Sequence, residues 1–363
     1  MLISEESVMK KIKVGFVGLR RGRSLASDML GLPNAEIGAI CELDRVRLDE
    51  TVEWLKKENR LDGVLVTESF EELLASDVDA VVIATAATVH TPMAIRALEA
   101  GKHVLSEIPA VNSVDVAFVL ADAVRKFPKQ KYMMAENCCF WAFINTWKGL
   151  YEDGAIGRVW YAEAEYLHNV SDLMVDRDGR PTWRASYDAI KYLTHDLGPL
   201  LYLLNDRVTE VSGFAPSFNS LPDLSTGTPN EVAIFRTEKG ALIKILVCFG
   251  VIRPCIHNYC LYGDRGTLET DRMDAYATNA CLSSIKSMGE KMFRLPTETG
   301  YPGYAAGGHG GADAKMMEAF IDCIVNDTKP PIDVELGLNM SIPGILAHES
   351  MKQGGRVIPI PRF

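Results

Sequence analysis

Short apolar runs punctuate the first third of the chain, separated by stretches whose apolar positions recur at helical spacing. The segments "KIKVGFVGL", "AEIGAICELD", "VDAVVIATAA", "KHVLSEIPA" and "KYMMAEN" read as strands, since nearly continuous apolar sequence is what a strand covered on both faces requires. Helix boundaries fall between them with recognisable chemistry. Ser69 and Glu72 have capping-box spacing, Thr91-Pro92 places proline in a first turn, and Gly101 ends "MAIRALEA". Strands alternating with helices predict a parallel, doubly wound α/β sheet over residues 1–136, with residues 1–9 a polar tail.

From about residue 140 the rhythm changes. "GRVWYAEAEYLH", "EVAIFRTEKGALIKILVCFG" and "HNYCLYGDRGTLETD" are longer strand patterns joined by the hairpin turns "TEKG" and "GDRG". They predict a second, α+β domain over residues 137–363, built on a large, mostly antiparallel open sheet. Helical patterns return in "DAKMMEAFIDCIVND" and in "ELGLNMSIPGILAHESMKQG", where Pro343 predicts a break or kink, and these helices are expected to pack back toward the first domain.

Composition narrows the partners. With 38 basic against 48 acidic residues in 363, a net charge of −10, the chain lacks the basic surface that nucleic acid needs. No apolar run is long enough to cross a bilayer, and the first residues, "MLISEESVMKK", have no export signal, so the expectation is a cytoplasmic protein with small-molecule partners. The eight cysteines include no C-x-x-C pair and mostly sit in apolar strands, which reads as reduced core thiols and no structural metal.

A turn that cradles a pyrophosphate needs glycine where backbone meets phosphate, ahead of a helix N-terminus. In "GFVGLRRGRS" only Gly18 falls on the G-x-G-x-x-G pattern; Arg20 and Arg23 take the later glycine positions and Gly22 is displaced by one. Arg20, Arg21 and Gly22 are therefore carried with Gly18 as cofactor-side candidates. Glu42 ends "IGAICE" 24 residues after Gly18, close to the spacing at which an acid binds the adenosine ribose. An acid there repels a 2′-phosphate and favours NAD, while Arg20 and Arg45 leave NADP open.

With these residues in place the chain resembles the Gfo/Idh/MocA oxidoreductases along nearly its whole length, from "IKVGFVGL" through "DAVVIATAATVHTPMAIRALEAGKHVLSEIPA" into the second domain. The resemblance implies a Rossmann domain binding NAD, with Thr85, His90 and Glu107 beside the cofactor. Two departures mark a branch. The family's E-K-P reads Glu107-Ile108-Pro109, so the usual lysine is gone, and Lys191, Leu193 and Gly198 replace the ordinary Asp, Gly and Asp around His195. The pattern Y-x-T-H-x-L-G-P, with "EYLHNV", "TWRAS" and "GGHGGAD", is similar to the NAD-dependent redox glycoside hydrolases of the α-N-acetylgalactosaminidase and sulfoquinovosidase type.

That likeness implies hydrolysis by transient oxidation at C3 of a hexoside, elimination at C1, water addition and re-reduction, with no pair of carboxylates flanking the bond. It implies catalytic roles for His195, Tyr192 and Glu107, and a substrate contact for Arg184. Tyr192 and His195, three apart, share a face if their segment is helical. The branch tyrosine acting near C2 falls on Phe140, which leaves that base to Tyr192 or to water. His168 and His309 are further substrate-side candidates, by their strand-end and glycine-flanked positions. Arg180, Arg184 and Lys191 either lie in solvent or face an anionic hexoside such as a sulfoquinovoside. The alternatives are an NAD-dependent sugar or inositol dehydrogenase releasing a keto-sugar, and a nonenzymatic NAD sensor. The family also implies a homodimer or homotetramer.

Overall fold

The structure, a computed structural model, describes residues 11–272, 281–286, 293–295 and 308–363. Its first part alternates β1 (Ile12–Val17), α1 (Leu19–Met29), β2 (Ala35–Cys41), α2 (Arg45–Lys57), β3 (Leu65–Thr67), α3 (Phe70–Ala75), β4 (Ala80–Ile83), α4 (His90–Glu99), β5 (His103–Ser106), α5 (Val114–Lys126) and β6 (Tyr132–Met134). The six strands pair in parallel in the order β3-β2-β1-β4-β5-β6. The chain reverses direction of travel across the sheet between β1 and β4, which opens a ligand crevice at the carboxyl ends of these strands. All four residues of β4 are fully buried, as a strand with helices on both faces must be. The edge strand β3 carries no long apolar run, and sequence pattern alone does not mark it. Ser69 caps α3 by accepting from Glu72 N at 3.3 Å, and Gly101 closes α4 with φ 75°.

The second part runs α6 (Ala142–Glu152), β7 (Val159–Leu167), α7 (Ser171–Met174), α8 (Thr194–Leu204), β8 (Val208–Phe214), β9 (Asn230–Thr237), β10 (Leu242–Cys248), β11 (Ile256–Gly263), β12 (Gly266–Thr270), β13 (Cys281–Ile285), β14 (Phe293–Leu295), α9 (Ala312–Val325), α10 (Val334–Lys352) and β15 (Ile358–Pro359). Nine strands form one sheet in the order β14-β13-β12-β11-β7-β10-β9-β8-β15. Every pairing in it is antiparallel except β7 with β10. One face is packed: Ile243, Ile245 and Val247 of β10 are fully buried, and the residues between them point to the other, open face. No described helix is long and apolar enough to cross a membrane.

α10 runs through Pro343 without the expected break, so a single missing N–H is tolerated within a helix buried along much of its length. It does pack back onto the first part. Ser341 Oγ accepts from Ala110 N at 3.0 Å, and the carbonyl of Ile332, just before the helix, accepts from Met134 N at 3.0 Å. On its other side α10 touches β8 so closely that a Cβ on Gly213 would lie 2.2 Å from the Ala347 carbonyl oxygen. Gly213→Ala must displace backbone, at a cost of about 1–3 kcal/mol. Thermal melting should show a lower midpoint for this variant.

Candidate active site

Residues at or just past the carboxyl ends of five parallel strands meet at the crevice: Gly18 after β1, Glu42 after β2, Thr85 after β4, Glu107 after β5 and Glu136 after β6. Gly18 adopts φ 84°, and a Cβ there would fall 2.5 Å from the Ala84 carbonyl oxygen, so only glycine lets the two loops close on each other. Glu42 accepts from Leu19 N at 2.8 Å and from Asp44 N at 3.0 Å, which places its carboxylate at the α1 N-terminus. Gly22 is buried, but a Cβ there would make ordinary contacts at 3.7 Å with Ala84, so this glycine is not sterically required. Arg20 is exposed at the rim, its pKa lowered by burial and by the charges of Arg184 and Arg47. A glycine cradle, a helix N-terminus and an acid at the ribose position fit NAD.

Arg21 is used differently. Its Nε donates to Glu107 Oε1 at 2.8 Å, and its two terminal nitrogens donate to the Asp313 carboxylate at 2.7 Å each. Asp313 also accepts from Asn137 Nδ2 and from His309 Nδ1, both at 2.9 Å. Burial alone would push the Asp313 carboxyl up; the bonds from Arg21 and His309 outweigh burial and hold it far below the usual range. Arg21 thus braces the crevice floor. His90 is buried as well, its ring nitrogens 3.3 Å and 3.2 Å from the carbonyls of Pro109 and Thr85, and burial lowers its pKa. It fastens the loop after β4 to the turn after β5. In that turn Ile108, at the family's lysine position, is 4% exposed and packed into the core.

His195 opens α8 with Nδ1 held 2.7 Å from Glu136 Oε1, its side chain 14% exposed and Glu136 fully buried. Burial pushes the Glu136 carboxyl up, but the His195 interaction and the Cys138 N–H outweigh it, and the group lies below its ordinary value. With Nδ1 engaged, Nε2 is the nitrogen available to a ligand. Tyr192 meets His195 edge-on at 5.0 Å and Tyr166 stacks on it at 5.8 Å. Burial raises the Tyr192 phenol against the pull of Arg184, so it stands as a proton donor.

Tyr166, Val170, Leu173, Trp183, Arg184, Tyr187, Tyr192 and Phe249 line a small recess. Arg184 lies over the Trp183 ring at 4.3 Å and, among the described residues, forms no ion pair. The other two candidate cations are neutralised. Lys191 reaches Asp188 at 2.8 Å, and Arg180, 71% exposed, pairs with Asp176 and Asp178 away from the recess. His168 takes a 2.6 Å hydrogen bond with Tyr166 Oη; burial lowers its pKa, helped by the charges of His195, Arg184 and His309.

Sequence reasoning passed over Glu136, Asn137, Asp313 and Asp196. The first two end "KYMMAEN" and Asp313 ends "GGHGGAD", so position at the end of a quoted stretch was the only signal. Asp196 is fully buried, and neither oxygen is hydrogen-bonded among the described residues. Burial, then the charges of Glu136 and Glu165, pushes its carboxyl well up. Two groups could offer ligands to a metal, Glu136 with Cys138 and His195, and Asp188 with Glu231 and His348. In the first, burial and Glu136 hold the Cys138 thiol protonated; in the second, His348 already bonds Glu231 at 2.8 Å and Asp188 at 3.3 Å.

Residues 12–135 match the NAD-binding Rossmann domain of the Gfo/Idh/MocA oxidoreductases, and residues 144–269 match a C-terminal domain of the same group. The chain belongs to the Gfo/Idh/MocA oxidoreductase family. Residues 234–363 match the C-terminal domain of glycosyl hydrolase 109. A glycosyl hydrolase family 109 protein of Solibacter usitatus is 24% identical over 97% of this chain and 88% of its own. One from Shewanella sp. strain ANA-3 is 26% identical over 98% and 85%. Among solved structures, a levoglucosan dehydrogenase bound to NADH and L-sorbose superposes with TM-score 0.84 at 19% identity, covering 98% of this chain and all of that one. An oxidoreductase domain protein of Kribbella flavida gives 0.81 at 22%, with the same coverage. This member of the family is therefore an NAD-dependent enzyme of the glycosidase branch.

Asp28 of α1 lies behind this family site, its pKa raised to about 6 by burial first and by the Asp313 charge second. The cost of ionising it is absent below its ordinary range and grows as pH rises through about 6. Melting curves of Asp28→Asn against the parent should diverge over that window, the variant gaining relative stability as pH increases.

Proposed function

We propose that the enzyme hydrolyses hexosides by transient oxidation at C3, and that the anchored His195 imidazole is the observation that carries this reading. Bound NAD supplies the hydride acceptor and, as NADH, returns the hydride. His195 Nε2 takes the C3 hydroxyl proton while the buried Glu136 carboxylate stabilises the imidazolium. The ketone acidifies C2–H, so the aglycone leaves C1 by elimination and water adds in its place. Tyr192, a proton donor packed on His195, hydrogen-bonds the sugar oxygens at this centre. Glu107, fixed by Arg21, borders the cofactor beside an apolar Ile108; with no lysine ammonium in that position, proton transfer falls to the imidazole.

The Arg184 guanidinium, which forms no ion pair among the described residues and lies in an aromatic recess, supports an anionic hexoside, such as a sulfoquinovoside, since a planar fork matches sulfonate or carboxylate oxygens. Arg20 at the rim adds to the same field. The chain divides at 136/137 in this reading, so the two histidine-holding carboxylates, Glu136 and Asp313, come from either side of the boundary. The open face of the nine-stranded sheet, with Ile234 48%, Leu242 38% and Phe214 49% exposed, supports a homodimer or homotetramer closing over it. The cytoplasm, where the seven described cysteines stay as free thiols, suits the enzyme.

Assays of nitrophenyl glycosides with NAD should release nitrophenol without net NADH; stoichiometric NADH would mark a keto-sugar-releasing dehydrogenase and overturn the reading. His195→Ala should lose turnover by at least about 100-fold and keep dinucleotide affinity in a fluorescence titration. Arg184→Gln should lower kcat/KM for the anionic glycoside by about 10- to 100-fold, the scale of a charged hydrogen bond, and leave neutral glycosides little changed.

A further inference from the structure

Two contacts made by one segment of the second domain land on opposite sides of the cofactor crevice. The segment follows β7, runs from Val170 to Tyr187 and leads into the turn that carries Tyr192. At Arg177 its guanidinium donates to the carboxylate of Asp44, which stands after β2. At Tyr187 its phenol donates to Asn112 Oδ1 at 3.0 Å, after β5. The sheet order places β1 and β4 between β2 and β5. The crevice opens at the carboxyl ends of those two inner strands, so a chain fastened at both outer points crosses it. We propose that residues 170–187 are a strap over the bound dinucleotide and that the Arg177–Asp44 pair is its releasable fastening, which slows the departure of NADH between oxidation and re-reduction. That purpose rests on the hydrolase reading above; the strap itself does not.

Both fastenings bear on loops that border the crevice. Asp44 caps α2 through Oδ1, accepting from Val46 N at 3.1 Å and Arg47 N at 3.3 Å, and offers Oδ2 to Arg177. Its own N–H donates at 3.0 Å to Oε1 of Glu42, the acid at the ribose position. Asn112 in turn donates through Nδ2 to the Ala87 carbonyl at 2.5 Å, in the loop after β4.

Between these points the strap is stiff enough to carry a side chain to a set position. Val175 and Pro181 form an antiparallel bridge, with Asp176 N donating to the Arg180 carbonyl at 2.8 Å. Asp176 Oδ1 accepts from the N–H groups of Asp178 and Arg180, both at 2.9 Å, and Gly179 turns the chain at φ 76°. Arg180 braces this hairpin by pairing with Asp176 at 3.3 Å and with Asp178, which leaves Arg177 to reach across. Thr182 Oγ1 closes the neck by donating to the Leu173 carbonyl at 2.6 Å. Leu173, Trp183 and Arg184 of the same segment line the recess with Tyr192, so the cofactor fastening and the substrate wall are one piece of chain. The Arg177 and Asp44 side chains are 47% and 31% exposed, which makes the pair a weak one. A weak fastening suits a strap that must open for NAD to enter.

The test uses holoenzyme loaded with NADH and chased with excess NAD, without sugar, reading the dissociation rate by stopped-flow nicotinamide fluorescence. Arg177→Ala should raise that rate by about 2- to 5-fold, the scale of an exposed ion pair, and Arg177→Glu should raise it further by repulsion from Asp44. Asp44→Asn, whose side-chain oxygen keeps the α2 cap, should match Arg177→Ala, and the two combined should exceed either alone only slightly. Added salt should speed release from the parent more than from Arg177→Ala. Parental rates in Arg177→Ala and Arg177→Glu, or effects that multiply in the double variant, would overturn the strap. Stoichiometric NADH from the parent with a nitrophenyl glycoside would instead defeat the hydrolase reading, and the sugar-free dissociation rates would still decide the strap.

Discussion

The Asp313 carboxylate, fully buried yet ionised, is the constraint around which the catalytic side of the molecule is arranged. An uncompensated charge there would cost several kcal/mol, and removing one partner of such a pair typically costs about 3–5 kcal/mol. The charge is met by Arg21 from the helix that starts at the phosphate-side turn, by Asn137 from the segment after β6 and by His309 from the turn before α9. Helix α1, the last strand of the parallel sheet and the C-terminal helices are thereby fixed relative to one another. Arg21 also reaches Glu107, so the same ion pair sets the position of the strand-end carboxylate at the cofactor crevice.

Charge around the crevice is sorted by burial. Glu136 and Asp313 are dry but hydrogen-bonded by a cation or an imidazole on at least one oxygen, and both sit below their ordinary pKa. Asp196 is equally dry, but no hydrogen bond reaches it among the described residues, His257 Nδ1 standing 4.0 Å away, and its carboxyl is pushed well up. Three acids in one neighbourhood therefore occupy different protonation regimes, set by whether a donor reaches them before water is excluded. The ionised two each hold one ring nitrogen of a histidine.

Replacing the family's lysine by Ile108 fits this sorting. A lysine ammonium beside Glu107 and Arg21 would add a second cation to a carboxylate that already has one. The isoleucine instead joins the buried core.

Reading along the chain marks the alternation of strands and helices in the first domain apart from β3, the cap at Ser69, the glycine at Gly18 and the acid at Glu42. The alternation and the cap are decided by neighbours along the chain, through burial and a first-turn hydrogen bond, whereas Gly18 and Glu42 also answer to Ala84 and Leu19 across space. The sequence also points to His195, Tyr192 and Arg184 through motif spacing. Only the tertiary structure decided what those groups do, because charge compensation depends on neighbours in space. Arg21 and Asp313 are 292 residues apart in sequence, and Glu136 and His195 are 59 apart. No periodicity reveals that Arg21 is consumed by a buried acid, that Lys191 and Arg180 are neutralised locally, or that Arg184 lies over Trp183 with no ion pair among the described residues.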